Sequence, residues 1–258
     1  MKRKIVIISV LFFTIITFGQ EKKVAFKDGE WLKFKMSYSG FLKAGNATLS
    51  LKEEDLNGKK VFHATGKGWT TGMIKWFFKV KDNYQSYFDV DTGKPYLFKR
   101  KINEGGYKKN LQITFNQQEK KAHVEDFIKK RNLEVPVNSP QDMISIYYFL
   151  RNYNTKGMKK GEEIKTEVFL DNKSFEFKLR FLGNEILKTK FGKVNTQKFR
   201  PIVQSGRVFK EKESVTIWIT DDYNKIPVKI QASLSVGSLR AELSEYKGLA
   251  NPFGKGFN

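Results

Sequence analysis

The chain offers few side chains for covalent or acid–base chemistry. It has no cysteine and two histidines, His63 and His123, among 258 residues. A hydrolase nucleophile needs a Ser or Cys on a sharp turn, served by a His and an acid. Neither histidine has such a sequence neighbourhood, and a lone His on a strand-like run reads first as a core or surface residue. Two distant histidines do not make the clustered ligand set that a metal requires. The run Asp221-Asp222-Tyr223-Asn224 is rich in calcium-type oxygens, but it lacks the EF-loop spacing and its closing Glu. It reads as an Asx-rich hairpin turn. Glu53-Glu54-Asp55 reads as a solvated turn before Asn57-Gly58. No Walker or dinucleotide glycine motif is present, so the expectation is a non-enzyme without a cofactor or metal.

Aromatic side chains are the richer resource. Trp69, Trp76, Phe77 and Phe78 crowd around the stretch Gly68-Trp69-Thr70-Thr71-Gly72, which reads as a loop. Aromatics in a β domain are mostly core. An exposed Trp in such a loop would instead mark a site, and apolar pockets in curled sheets are common ligand positions. Trp69, Trp76, Phe78 and, farther on, Trp218 therefore form the candidate ligand-binding set.

The elements that must position these residues are strands. Leu32, Phe34, Met36 and Tyr38 alternate with Lys33, Lys35 and Ser37, the period of a half-buried strand. The same period runs through Ala47 to Leu51, Leu111 to Phe115, Ile164 to Leu170, Phe175 to Phe181 and Leu239 to Leu243. A hairpin signature occurs twice. In Tyr84–Phe98 and again in Thr216–Ile230, a β-branched and aromatic run meets an Asp-rich turn, and Pro95 or Pro227 opens the next run. Proline fits a strand's first residue because its missing N–H lies outside the ladder. Pro95 and Pro227 are 132 residues apart, and the same offset carries Gly29-Glu30 onto Gly161-Glu162 and Gly105 onto Gly237. This is the pattern of a weak internal duplication over about 28–128 and 160–247. One helix is expected between the halves, over about 139–152. Ser139 is its N-cap, Pro140 its first residue, and Met143, Ile146, Tyr147 and Leu150 its apolar stripe.

About a dozen strands with one apolar and one Lys-rich face predict a mainly β chain. The fold expected is a large curled antiparallel sheet, half-barrel or barrel-like, with the single short helix against its apolar side. Lys2, Arg3 and Lys4 precede the apolar run Ile5 to Phe18, the pattern of a secretory signal peptide over residues 1–19. The reading is a single domain over 20–248 and a flexible Gly-rich tail over 249–258. Without cysteine there is no lipid attachment site, so the chain is expected as periplasmic or secreted and not a lipoprotein. The net charge of +21 is spread along the chain. It suits anionic lipid or envelope polymer, and the missing recognition motifs argue against nucleic acid.

Gly29-Glu30, Gly40 to Thr48, Ser139 to Arg151 and Trp218 to Pro227 together resemble the domain of unknown function 3108 family, whose members are often exported proteins of Bacteroidota. The resemblance covers nearly the whole chain after the signal segment. It implies an exported β-rich domain and brings no catalytic residues with it. The architecture is also similar to the half-barrel of periplasmic lipoprotein carriers, which use several helices as a lid where one is expected here. The leading expectation is a non-catalytic protein that binds or carries an amphiphilic or anionic envelope component, with peripheral membrane contact. Its rival is a structural or interaction module that meets an envelope protein partner. An outer-membrane barrel ranks lower because aromatic girdles are not evident.

Overall fold

The computed structural model describes residues 24–202, 215–234 and 237–254; the expected signal segment lies outside them. The strands are β1 (Trp31–Tyr38), β2 (Leu42–Leu56), β3 (Lys59–Thr70), β4 (Lys81–Asp89), β5 (Pro95–Glu104), β6 (Tyr107–Asn116), β7 (Lys121–Asp126), β8 (Arg131–Pro136), β9 (Glu163–Leu170), β10 (Lys173–Thr189), β11 (Gly192–Ile202), β12 (Val215–Thr220), β13 (Pro227–Ser233) and β14 (Ser238–Lys247). Among the described residues the helices are α1 (Ile74–Phe77) and α2 (Ser145–Asn152). All fourteen strands join one antiparallel sheet, in the order β8-β7-β6-β5-β4-β3-β2-β1-β14-β13-β12-β11-β10-β9. This is the expected mainly β, curled, barrel-like fold.

The sheet does not close, because β8 and β9 are edges. Chain between them spans the seam: Gln141 donates to Glu167 O and accepts from Phe169 N–H, both at 2.8 Å. Arg100 and Lys109 both meet Asp171 across the same gap. Phe98, Leu111, Ile113 and Phe115 pack with Phe169 in one cluster beneath it. Burying apolar surface against the far edge thus finishes what strand pairing leaves open.

Element bounds recur at nearly constant offset. β1–β6 and β9–β14 follow each other about 132 residues apart, with the hairpin β7–β8 and α2 between them. Gly29 N–H donates to Leu51 O while Glu30 O accepts from Leu51 N–H, and Gly161, Glu162 and Phe181 repeat that pattern. Both Pro hairpins carry a register shift, which pairs Phe88 with Pro95 and Ile219 with Pro227.

Antiparallel neighbours place alternate turns at opposite ends. One end carries the β1–β2, β3–β4, β5–β6, β7–β8 and β13–β14 connections. The other carries β2–β3, β4–β5, β6–β7 and β12–β13, with the chain entering at Trp31 and leaving at Lys247. That second end is plugged by α2. The helix begins later than expected: Ser139 is in the left-handed region at φ 60°, and Gln141 is engaged with β9. Asp142 instead takes the N–H groups of Ile144 and Ser145, and Ser145 Oγ accepts from Asp142 N–H. This is a reciprocal cap. Ser86 also donates to Asp142 at 2.6 Å. Burial pushes the Asp142 carboxyl up to about 6 against these hydrogen bonds. The buried face of α2 is Ser145, Tyr148 and Arg151, while Met143, expected in the stripe, is exposed.

Arg151 fixes the plug. Its guanidinium forks onto Glu30 at 2.5 and 2.6 Å and donates to Ala25 O and Asn224 O at 2.8 Å. Both side chains are almost fully buried. The rings of Phe26, Tyr147 and Tyr148 lie 5.1–5.6 Å from the guanidinium carbon. Asn224 in turn holds Asn251, and Asp222 accepts from Gly254 N–H. The described part of the tail, 249–254, is therefore docked rather than loose, with Leu249 and Phe253 on a core cluster. Its glycine content suggested flexibility, and the polar turn that receives it was not visible in composition.

Removing one partner of such a pair leaves a buried charge uncompensated. Arg151→Met is expected to cost about 3–5 kcal/mol in urea denaturation. Arg151→Met combined with Glu30→Gln should lose less than the two single changes summed.

Candidate functional site

Small residues on adjacent strands leave a trough at the unplugged end. β2 supplies Ala44, Gly45 and Ala47, and β3 supplies Gly66 and Gly68, in register with Ala47 opposite Gly68 and Leu49 opposite Gly66. With little side-chain volume there, the curled sheet encloses a cavity of about 590 Å³, within the usual range for small-ligand sites. Met36, Tyr38, Trp69, Phe78, Tyr84 and Leu239 supply much of its wall. The plug stops at its inner end, where a Cβ added to Gly66 would lie 3.3 Å from Ile144 Cδ1.

The glycines differ in what they permit. A Cβ at Gly68 would meet nothing within 4 Å, whereas one at Gly45 would lie 2.2 Å from Trp69 O. Gly45 allows β2 and β3 to approach, and Gly68 keeps the trough open. The wall is apolar except at Asp82; Lys67 borders it in β3 but alternates with Gly66 and Gly68, so its side chain stands on the outer face of the sheet. Burial pushes the Asp82 carboxyl up to about 6 and nearby Glu104 adds to that, while the Asn103 N–H and Arg100 pull it down.

The β3–β4 connection forms one lip of the opening. The densely apolar stretch Met73 to Val80 carries the four-residue helix α1, and the segment is held on both sides: Thr71 N–H donates to Ala44 O, and Gly105 N–H to Lys79 O. The ring of Phe78 lies where a Gly105 side chain would stand.

Of the candidate ligand-binding residues, the structure brings Trp69 and Phe78 together in the cavity wall. Trp69 lies in β3 rather than in a loop, because Gly68–Thr70 continue the ladder with β2 and β4. Trp76 points to solvent, 86% exposed. Trp218 is elsewhere, 7% exposed, with its indole N–H on Glu185 and the ammonium groups of Lys198 and Lys229 near its ring. Sequence reasoning missed Met36, Tyr38, Asp82 and Tyr84. Their signal was the pair Gly66 and Gly68 two residues apart inside a strand, where glycine is costly.

Polar clusters elsewhere are self-contained. His63 Nδ1 lies 3.1 Å from Glu54, and Nε2 lies 3.2 Å from Thr65 Oγ1 and 3.1 Å from Gln85. The fold thus supplies the acid and hydroxyl that local sequence lacked. The His63 ring is stacked on Tyr87. Asp222 is consumed by Thr220, Asn224 and Lys225. Among the described residues, no cluster of three His, Asp or Glu is placed to hold a metal, and no helix is long and apolar enough to cross a membrane.

The family model described as protein of unknown function (DUF3108) matches residues 33–244, and the chain belongs to that family. A β-barrel-like protein of the DUF1849 family from Brucella abortus shares the fold with TM-score 0.59 at 11% identity, over 86% of this chain and 98% of that one. Weaker likenesses reach a protein provisionally described as a lipoprotein from Parabacteroides distasonis, at 15% identity and TM-score 0.38 over 87% and 99% of the chains. One provisionally described as exported, with a YmcC-like fold, from Bacteroides fragilis has 9% identity and TM-score 0.36 over 87% and 98%. No curated protein gives a significant match.

The two glycines make opposite predictions. Gly68→Val should leave the thermal midpoint unchanged or raise it, since strand glycine costs about 0.5–1 kcal/mol relative to alanine. Gly45→Ala should lower the midpoint, because the new methyl meets backbone. Thermal melts of the two variants check both.

Proposed function

We propose that this member of the DUF3108 family is an exported, non-catalytic envelope domain that binds an apolar chain of an anionic amphiphile in the trough. The observation that carries the reading is the trough floor: Ala47, Gly66 and Gly68 keep space open along adjacent strands where larger residues would strengthen the sheet. An acyl chain lying along Met36, Gly68 and Tyr84 would bury apolar surface at about 25 cal/mol per Å². Exposed lysines at the mouth, Lys43, Lys75 and Lys79, supply the charge that an anionic headgroup would meet. Export is supported by the basic start at Lys2 to Lys4 and the apolar run Ile5 to Phe18.

Native mass spectrometry of the protein purified from its own envelope, with lipid extraction alongside, tests the reading. The expected spectrum shows a reproducible added mass that extraction removes, and Gly68→Val loses it while staying folded. A bare protein mass under gentle conditions overturns the proposal.

Asp82 adds a pH dependence. Its folded pKa of about 6 exceeds the unfolded value near 3.8, so its contribution to stability is complete below about pH 4 and is lost as pH rises through about 6. The same ionisation places a negative charge in the wall. Binding of phosphatidylglycerol should therefore weaken between about pH 5 and pH 7. Asp82→Asn should flatten that dependence in a titration across the same range.

A further inference from the structure

Exposed apolar side chains are not spread evenly over the molecule. Among the described residues, eight of the twelve exposed large hydrophobics lie on or directly beside the turns at the trough's open end. Phe41, Trp76 and Phe77 are 81%, 86% and 84% exposed, and Met73, Phe127 and Ile128 extend the set. Single exposed apolar residues need no explanation, but a ring of them at one end does.

Charge follows the same division. In segments 39–43, 71–81, 104–109 and 127–131, every exposed charged residue is a cation, among them Lys43, Lys75, Lys79, Lys108 and Lys129. Carboxylates at this end are turned inward or engaged. Asp126 accepts from the N–H groups of Ile128 and Lys129, and Asp171 holds Arg100 and Lys109. The opposite end mixes signs, with Glu53, Glu54, Asp55, Asp91 and Glu119 exposed.

We infer that this end is a membrane-docking surface, seating the chain on an anionic bilayer with Trp76, Phe77 and Phe41 in the headgroup layer and the lysines on lipid phosphates. Interleaved aromatics and lysines on a fixed protrusion suit that interface, where rings sit at headgroup depth and each lysine gains from the surface potential. The lip is not a loose loop, because the segment around α1 is hydrogen-bonded through Thr71 to Ala44 on one side and through Lys79 to Gly105 on the other. Docking in this pose would set the trough's mouth against the lipid. The inference itself does not require the trough to be filled.

Cosedimentation of the full chain with vesicles tests it. Equimolar phosphatidylglycerol and phosphatidylethanolamine vesicles should pellet the protein, pure phosphatidylcholine vesicles should not, and about 0.5 M NaCl should release much of it. Trp76→Ala with Phe77→Ala, and separately Lys75→Glu with Lys79→Glu, should each reduce partitioning by about tenfold or more with an unchanged thermal midpoint. Gly68→Val should bind vesicles as the parent does, which separates this surface from the trough. Failure of the parent to pellet with anionic vesicles at low salt overturns the inference. So does undiminished binding by both double variants, and so does an unaltered variant surface whose only partner proves to be a protein.

Discussion

The bidentate pair of Arg151 and Glu30 is the constraint on which the rest of the arrangement depends. A fully buried guanidinium is tolerable only when its donors are used, and here they reach Glu30, Ala25 O and Asn224 O. Those partners come from the entering chain and the β12–β13 turn, both far in sequence from the plug helix that carries Arg151. An ion pair of this kind is poor evidence of net stabilisation, because desolvation offsets attraction. What it supplies is position: α2 can sit in the barrel only where the fork is satisfied.

That position divides the interior in two. From Arg151 the helix rises as far as Ile144 and stops against Gly66. Beneath that level, Phe26, Phe88 and Tyr148 fill the barrel. Above it, glycine and alanine leave it open. The molecule consequently has a sealed end, where Asn224 and Asp222 dock the tail, and an open end bearing aromatics and lysines. Strand glycines that a stability criterion would replace fall in the open half, as expected where function opposes maximal packing.

Much of the sheet was legible because its signals are local. Alternation in Leu32 to Tyr38 and in Phe175 to Phe181 marks strands by a period of two, and Pro95 and Pro227 mark their hairpins. The 132-residue offset was readable from a few glycines and prolines, and the element bounds follow it. The helix start was misplaced because Ser139 and Pro140 satisfy capping rules equally well as a seam segment; only pairing with β9 decides between them. The site was less legible still. Trp69 sits between glycines that resemble a loop, and only the facing Ala47 shows them to be the floor of a trough. Arg151 reads as an ordinary polar residue at a helix end, since Glu30 and Asn224 are brought to it by topology alone. Trp218 was drawn in by its residue type, and its neighbours Lys198, Lys229 and Glu185 account for it without a ligand.

The most direct test is a crystal structure grown with phosphatidylglycerol whose acyl chains carry bromine, read by the anomalous signal. Bromine peaks along Met36, Gly68 and Tyr84, with α2 still locked to Glu30, are the result this account predicts. A trough with no bromine, or one occupied by a displaced α2 after the Arg151 pair has opened, would contradict it.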